Sequence, residues 1–390
     1  MSSSRDVVPL RSRATRPLRI GIIAPPVLPL PPVGYAGTER IIATLALGLH
    51  ARGHAVTVFA AGDSDLPCEV VPVVPRALWP AGHRGNLTNY FDLAVARAWE
   101  QQDRFDVFHS HVDTAGFAMA RYSDTPVVTT LHGRLDVGGT IDLIDAHRDI
   151  PLVAISASQR RWNPDANWVA TIPHGLDFST TPRSTEVGDH LLLVGRLTRE
   201  KGIAEAIELA RRTGRRLVMA AKAHEHAEQA MFRELVQPAI DEGVVDWRGE
   251  VTGGERDELM AAAFATVMLG AWPEPFGLVA IESMATGTPV IARRAGAYTE
   301  TIEHGVTGFL VDDEDEAVLA VERIERLDRR IISAQARERF SVDRMIGRYE
   351  AAFESIVGRT GMEATSDAPA PARRRERGRH LEREVVGTFS

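Results

Sequence analysis

Cysteine is almost absent from the chain, since Cys68 is the only one among 390 residues. A single thiol excludes an intrachain disulfide and a cysteine-rich zinc site. It also fits a reducing compartment, and we expect the cytoplasm. Basic residues are in deficit as well, because the formal net charge is −8. That charge argues against a broad basic face, so we expect no nucleic-acid partner.

A long uninterrupted apolar run is also missing. The most apolar early stretch, Leu18 to Val33, contains five prolines, and a membrane-spanning helix could not run through them. Arginines precede this stretch, as in a signal peptide, but the prolines and the glycine loop that follows favour a first strand. We therefore expect no integral membrane segment. We also expect disordered tails over residues 1–17 and over residues 359–390, which are rich in Arg, Glu, Ala and Pro.

The rest of the composition is that of a globular protein, with 44% hydrophobic and 25% charged residues. Short apolar runs alternate with helical patterns, which predicts parallel α/β structure. The polar stretch from Phe178 to Gly188 separates two complete sets of strands. The predicted fold is therefore two doubly wound α/β domains, over residues 18–177 and 178–341, followed by a helix over residues 342–358.

The apolar runs give the positions of the predicted elements. In the first domain the predicted strands are Leu18–Ala24, Ala55–Ala60, Asp106–His109, Pro126–Thr130, Pro151–Ile155 and Trp168–Ile172. In the second they are His190–Val194, Arg216–Ala220, Val244–Trp247, Thr266–Leu269, Pro289–Ala292 and Gly308–Val311. The main predicted helices are Thr38–Ala51, Ile203–Arg212, His224–Asp241, Arg256–Ala263 and Leu278–Thr286. Many enzyme classes use such sheets, so function has to be argued from the sites.

The first candidate site is the loop Gly34-Tyr-Ala-Gly-Thr-Glu-Arg40, between the first strand and the first helix. Glycines let a backbone approach a ligand closely, and a helix start offers free N–H groups to an anion. The Gly-x-Gly-x-x-Gly pattern of dinucleotide sites is missing. Two interpretations stay open, namely a contact with phosphate or sugar and a flexible turn.

The second candidate is the loop Val194-Gly-Arg-Leu-Thr-Arg-Glu-Lys-Gly202, again between a strand and a helix. Arg196 and Lys201 flank it. A departing nucleoside diphosphate develops negative charge, which fixed cations stabilise without a metal. The alternative is a solvated charged turn.

The third candidate is Glu274-Pro-Phe-Gly-Leu-Val-Ala-Ile-Glu282, in which Glu274 lies in a loop and Glu282 in the next helix. Carboxylates accept paired hydrogen bonds from hydroxyls, so the two could hold a sugar and a ribose. The helix start near Gly277 adds backbone donors for phosphate or sugar oxygens. Two exposed surface acids are the weaker interpretation, because Pro273, Pro275 and Gly277 constrain the loop.

These three motifs, in this order, resemble those of the fourth glycosyltransferase family, retaining enzymes of the GT-B fold with two Rossmann-like domains facing a cleft. Further matches are Thr130-Leu-His-Gly133, Ile155-Ser-Ala-Ser-Gln-Arg160 and Ile172-Pro-His-Gly-Leu-Asp177. The resemblance runs from about Leu18 to Val357. Within the family, the first glycine loop is similar to that of a subgroup that includes sugar transferases of antibiotic biosynthesis. The adjacent glycines common in the family are Ala36-Gly37 here, which leaves the sugar unassigned.

The resemblance implies roles for the matching positions. Arg196 and Lys201 would hold the donor diphosphate, Glu282 the ribose, and Glu274 the transferred sugar. His132 would contact the sugar near the reacting carbon, so the implied catalytic residues are Glu274, His132, Arg196 and Lys201. The implied donor-binding set is Gly37, Arg196, Lys201, Arg248, Gly249, Glu274, Phe276, Gly277, Leu278 and Glu282. Arg248 and Gly249 would line the nucleobase pocket, and the last helix would cross back onto the first domain.

Histidines in the first domain have other interpretations. His109-Ser-His111 could begin a metal site, but no third ligand is evident. We expect a polar pair that faces the cleft on the acceptor side. Asp63-Ser-Asp65 has the form of a metal-bound diphosphate site in another fold, yet turn chemistry explains it. His174 is interpreted as a structural residue of an interdomain turn. We expect no metal and no other cofactor.

The function implied is transfer of a hexose-like sugar from a nucleoside-diphosphate donor, with UDP favoured, to an acceptor hydroxyl. The expected reaction retains the anomeric configuration and needs no metal. The acceptor stays open among a natural product, a small metabolite and a lipid-linked sugar. Two alternatives remain, a nucleotide-sugar epimerase on the same fold and a non-catalytic nucleotide-sugar-binding protein.

Overall fold

The computed structural model of the protein describes residues 16–34, 36–83 and 85–365, which form two parallel α/β domains. The strands of the first sheet are β1 Arg19–Ile23, β2 Ala55–Ala61, β3 Glu69–Val74, β4 Val107–Ser110, β5 Val127–Thr130, β6 Leu152–Ala154 and β7 Trp168–Thr171. Those of the second are β8 Leu191–Arg196, β9 Leu217–Lys222, β10 Val245–Trp247, β11 Ala265–Met268, β12 Val290–Arg293 and β13 Gly308–Val311. The predicted doubly wound fold is confirmed.

Helices cover both faces of each sheet. In the first domain they are α1 Gly37–Ala51, α2 Thr88–Trp99, α3 Phe117–Ala120, α4 Thr140–Ala146 and α5 Ala157–Arg160. In the second they are α6 Ile203–Thr213, α7 His226–Met231, α8 Gln237–Asp241, α9 Gly253–Ala262, α10 Leu278–Thr286, α11 Tyr298–Thr301, α12 Glu314–Arg323 and α13 Arg329–Arg339. The last helix is α14, Val342–Thr365. Because both faces are covered, the inner strands are mostly apolar and buried, whereas the edge strands β3, β7 and β10 are only partly buried.

The strand order places the loops that matter for function. The first sheet runs β3-β2-β1-β4-β5-β6-β7 and the second β10-β9-β8-β11-β12-β13, so the direction of winding reverses beside β1 and beside β8. In a parallel sheet, such a switch point opens a crevice at the carboxyl ends of the central strands. The first glycine loop follows β1, and the loop of Arg196 and Lys201 follows β8. Both loops therefore lie at these crevices.

Helix α14 packs on the first domain although the chain reaches it from the second. A Cβ atom added to Gly48 of α1 would lie 1.8 Å from Cδ1 of Ile346, so the two helices cross at very close range. Glu350 of α14 accepts hydrogen bonds from Arg52 at 2.6 Å and from the His54 ring at 3.1 Å. The core of the first domain thus includes α14.

The elements differ from the sequence prediction at a few places. Strand β3 was not predicted, because Pro72 interrupts its apolar run; it forms the edge of its sheet, where a missing N–H is tolerated. Helix α14 continues to Thr365 instead of ending near residue 358, and no proline stands before Pro369 to stop it. The rest of the expected C-terminal tail, 366–390, and residues 1–15 of the expected N-terminal tail lie outside the described residues.

Candidate functional site

A pocket between the two domains, called here the cleft pocket, has a volume of about 120 Å³. Its walls come from loops at the carboxyl ends of strands in both sheets. The lining residues are Gly37, Thr38, His132, Ile155, His174, Lys201, Met268, Glu274, Pro275, Phe276, Gly277, Leu278 and Val279. The structure therefore brings together much of the donor-binding set that the sequence implied, from segments far apart in the chain.

Two helix starts meet at the cleft pocket. Gly277 caps α10 with a φ of 87°, and a Cβ at that position would lie 2.6 Å from the Tyr298 ring. Only glycine fits both requirements. Leu278 and Val279 begin α10, where backbone N–H groups lack partners within the helix. Gly37 begins α1, and a Cβ there would lie 3.3 Å from Leu278. The positive ends of two helices thus face one space that suits an anion.

Lys201 and Glu274 form an ion pair in the wall of the cleft pocket. The Lys201 ammonium donates to a Glu274 carboxylate oxygen at 2.8 Å, and both side chains are mostly shielded from solvent. The Glu274 loop is fixed by its own backbone, because Ala297 donates its N–H to the Glu274 carbonyl at 2.8 Å. The pair holds a cation and a carboxylate beside the start of α10, in reach of one ligand.

Arg196 lies outside the cleft pocket. Its guanidinium contacts Glu228 at 2.9 Å and Glu225 at 3.2 Å, both at the start of α7. The backbone of β8 ends at Arg196, so the side chain stands at the same crevice as Lys201 but points to α7. Contact with a diphosphate would require the guanidinium to leave these carboxylates, and its role in donor binding stays a prediction.

Glu282 is buried within α10 and is paired with two arginines. Arg40 of α1 donates to it across the cleft, and Arg256 of α9 contacts the same oxygen at 3.1 Å. The contact with Arg40 joins residues 242 positions apart in the chain. Glu282, the predicted ribose-binding carboxylate, therefore also forms an ion pair that joins the two domains.

A second space, the Trp247 pocket, lies farther along the crevice of the second sheet. Gly249 lines it, together with Trp247 and Phe232, whose rings meet edge to face with centroids 4.9 Å apart. The Arg248 side chain instead bonds Asp246 at 2.8 Å. Glu250 lines both the Trp247 pocket and a third space with Gly34, Gly195, Lys222 and Arg256, so the two spaces adjoin. Flat aromatic and apolar walls of this kind suit a planar base.

A row of buried histidines runs from beneath the cleft into its wall. His109 is completely buried and bonds Thr130 at 2.7 Å, and Thr130 in turn bonds the Tyr349 hydroxyl at 3.1 Å. His111 is 1% exposed and bonds His132 at 2.8 Å. The expected acceptor-side pair therefore lies below the cleft surface, since His109 in β4 and His111 just after it are both buried. The prediction that they face the cleft does not match their position.

Loss of water keeps these imidazoles neutral. Burial lowers the pKa of His109 to about 3 and that of His132 to about 4. Burial likewise holds the pKa of His111 and of His174 well below the ordinary range for histidine. The row therefore offers neutral hydrogen-bonding rings at pH 7, with no charge for an acceptor or a phosphate.

Sequence reasoning missed some residues of the site. His174 lines the cleft pocket, stacked on His132 with ring centroids 5.3 Å apart and packed against Phe276 at 4.8 Å. The motif Ile172-Pro-His-Gly175 was noted in the sequence, but a histidine between proline and glycine is also typical of a turn. Arg40 was part of the quoted glycine loop, and only the facing of the domains shows that it reaches Glu282.

Three other features of the sequence concern the Asp63-Ser-Asp65 segment, a metal site and a membrane-spanning helix. Gly62 and Asp63 form a turn after β2, closed by the Ser64 N–H on the Ala61 carbonyl at 3.1 Å, and the Asp63 carboxylate accepts the Ala77 N–H at 2.9 Å. Within residues 16–34, 36–83 and 85–365, no group of three or more potential ligands is arranged to hold a metal ion. Over the same residues, no helix is both long enough and apolar enough to cross a bilayer.

Comparison with known families assigns both halves of the chain. The profile described as Glycosyltransferase Family 4 matches residues 35–178, and the one described as Glycosyl transferases group 1 matches residues 183–340. A relative of similar sequence is the phosphatidyl-myo-inositol mannosyltransferase of Mycobacterium leprae (strain TN). It is 26% identical over 336 residues, which cover 78% of this chain and 86% of the relative.

Solved structures share the fold. AviGT4, a glycosyltransferase involved in avilamycin A biosynthesis, matches with a TM-score of 0.64 and 23% identity, over 88% of this chain and 98% of its own. HepE of Anabaena, in complex with UDP and glucose, matches with a TM-score of 0.67 and 21% identity, over 87% of this chain and 100% of its own. The predicted arrangement of two Rossmann-like domains facing a cleft is confirmed.

Proposed function

The chain belongs to glycosyltransferase family four, and on that premise we propose that it transfers a hexose-like sugar from UDP to an acceptor hydroxyl, with retention of configuration and without a metal. The observation that carries the proposal is the convergence at the cleft pocket of Gly37, Lys201, Glu274 and the start of α10. This set offers a cation, a carboxylate and oriented N–H groups to one ligand. A nucleoside diphosphate joined to a sugar has the matching charges and hydroxyls.

The donor lies along the crevice of the second domain in this proposal. The base enters the Trp247 pocket, and the ribose reaches Glu282. The diphosphate meets Lys201 and the N–H groups of Leu278 and Val279, which stabilise the charge that develops as it departs. Arg196 joins them by leaving Glu228. The cations and the helix start take the place of a metal ion in neutralising the leaving group. UDP is favoured because the similar HepE structure contains UDP and glucose.

In this proposal, retention does not use a carboxylate nucleophile. A double displacement needs a carboxylate free to attack the reacting carbon. Among the described residues that line the cleft pocket, Glu274 is the only acid, and it is bonded to Lys201. We therefore assign Glu274 to the sugar hydroxyls, and the acceptor attacks from the face that the diphosphate leaves.

The acceptor hydroxyl reaches the sugar from the first domain, past Thr38 and His132. Its class stays open among a natural product, a small metabolite and a lipid-linked sugar. The name of the avilamycin transferase indicates a natural product, and that of the phosphatidyl-myo-inositol mannosyltransferase indicates a lipid. No residue described in the cleft favours an epimerase or a silent binding protein over transfer.

Calorimetry with UDP, GDP, TDP, ADP and NAD, in the presence of a chelator, tests the donor assignment. We expect UDP to bind and NAD not to bind. Lys201→Ala and Glu282→Ala should each weaken UDP binding by about tenfold, since each removes a charged hydrogen-bonding partner. Arg199→Ala is the matched control, because it removes a cation from the same loop at an exposed position. Binding of NAD alone, or unchanged affinity in both variants, contradicts the proposal.

Turnover separates transfer from the alternatives. Consumption of UDP-sugar without any acceptor, giving a second UDP-sugar, would establish an epimerase. Binding with neither hydrolysis nor transfer across an acceptor panel would establish a silent protein. The anomeric proton coupling of the product, read by NMR against that of the donor, decides between retention and inversion.

A further inference from the structure

The bond between His111 and His132 is the best-defined polar contact behind the cleft pocket. The Nδ1 atom of His111 and the Nε2 atom of His132 are 2.8 Å apart. His111 is buried at the end of β4, while His132 lines the cleft pocket. Each ring keeps one further nitrogen, Nε2 of His111 and Nδ1 of His132, which is buried and bonds no described residue.

Both rings are neutral, so each carries one proton on its two nitrogens. Burial lowers the pKa of both, with that of His132 at about 4. Exactly one hydrogen must then lie between the rings, and the pair has two possible tautomeric arrangements. In either arrangement one buried N–H group is left over, on Nε2 of His111 or on Nδ1 of His132.

The two leftover positions are not equivalent. An N–H on Nε2 of His111 would be buried without an acceptor among the described residues, and orphaned buried N–H groups are rare because they are costly. An N–H on Nδ1 of His132 is also buried in the ligand-free protein, but its ring lines the cleft pocket, where a bound ligand can supply an oxygen, and the His111 ring does not line that pocket. The arrangement with the proton on Nδ1 of His132 is therefore the favoured one.

We propose that His111 is a positioning residue that donates its Nδ1–H to Nε2 of His132 and thereby fixes His132 as an Nδ1–H donor to a ligand in the cleft pocket. The ring plane is held by His174, stacked at 5.3 Å, and the His132 backbone N–H bonds the Asp113 carboxylate. Asp113 has a φ of 49°, in the left-handed region that residues other than glycine rarely adopt. That the ligand oxygen belongs to the transferred sugar rests on the proposed function; the tautomer does not.

The first test reads the tautomer in the free protein. In protein labelled with ¹⁵N-histidine, two-bond N–H couplings identify which ring nitrogen is protonated, and the His132→Gln difference spectrum assigns His132. We expect Nδ1–H in the parent and in His111→Asn, whose amide can donate from nearly the same place. We expect Nε2–H in His111→Leu. His109→Leu, the matched control, removes a buried imidazole from the same strand and should leave the His132 tautomer unchanged.

The second test measures transfer with UDP-sugar. We expect His111→Leu to lower kcat by about tenfold or more with the Kd for UDP unchanged, and His111→Asn to recover most of the loss. An Nε2–H tautomer in the parent, or an unchanged kcat in His111→Leu, overturns the proposal. If the parent shows Nδ1–H but neither binds nor uses any UDP-sugar, the proposed function fails while the His111 assignment stands. Thermal unfolding of each variant shows that it is folded.

Discussion

Single residues carry the pH dependence of the first domain. His109 is completely buried and bonded to Thr130, and its pKa is lowered to about 3 by loss of water. An unfolded chain binds a proton at this position near pH 6.5. As the pH falls below 6.5, the unfolded state gains the proton and the folded state does not, so stability is lost on the acid side.

Between about pH 6 and pH 4, His109 alone should reduce the free energy of unfolding by about 1.4 kcal/mol per pH unit. His132 adds a similar decrease down to its pKa of about 4. Urea unfolding across this range measures the slope. The variant His109→Gln should lose less stability on acidification than the parent. Equal slopes in parent and His109→Gln would mean that His109 titrates in the folded protein.

Residues at the site were predictable where a motif follows a strand. Lys201, Glu274 and Gly277 could be placed because glycine and proline mark the loops after β8 and β11. The partners of those residues could not. Arg40 and Glu282 are 242 positions apart, and their contact depends on how two separately folded domains face each other. The burial of His109 and His111 could not be predicted from the sequence either. The short strand β4 is buried on both faces, so its sequence shows no alternation of buried and exposed positions.

Elements were predictable to the extent that their apolar spacing was uninterrupted. Helix α10 and strand β13 have the predicted limits, while β3 was missed because Pro72 breaks its pattern. Helix α13 was not predicted, because its buried face includes Arg329. The Arg329 guanidinium donates to carbonyl oxygens at the end of α9. A charged residue in the core is read from sequence as a surface residue.

The crossing of α1 and α14 depends on the missing side chain of Gly48. Alanine is the better helix former by about 1 kcal/mol. At this position its Cβ would overlap buried Ile346, and overpacking costs about 1–3 kcal/mol. We therefore expect Gly48→Ala to lower Tm, with part of the loss recovered when Ile346→Val is added. Gly347→Ala is the control, because the nearest atom to its Cβ would be 3.6 Å away. Equal stability of the two alanine variants would disprove a tight crossing.

Contacts across the cleft join the two domains at the whole-molecule scale. Glu300 of the second domain accepts the N–H groups of Ala157 at 2.8 Å and Ser158 at 2.5 Å, at the start of α5. The Ser156 hydroxyl donates to the Pro275 carbonyl at 2.8 Å, beside the cleft pocket. Because Pro275 lines the cleft pocket, where we propose that the donor binds, we expect domain closure and donor binding to be linked through these contacts.

Glu300→Ala should therefore favour an open form. We expect a larger radius of gyration in small-angle scattering without ligand, and a decrease when UDP-sugar is added. The KM for the donor should rise about three- to tenfold, since part of the binding energy now closes the domains. Glu322→Ala removes an exposed carboxylate elsewhere in the second domain and is the control. Identical scattering curves for parent and Glu300→Ala would show that this contact does not hold the domains together.

The path of α14 has a consequence for synthesis of the protein. The strands of the first domain leave the ribosome early, but the helix that covers Gly48, His54 and His109 is made only after the whole second domain. At about 5–20 residues per second, the delay is roughly ten to thirty seconds. Throughout that time the first domain exposes the apolar face that α14 later covers, and the second domain is complete before α14 is made. The part of the protein made first is thus the last to finish folding, and it is where a chaperone would be needed.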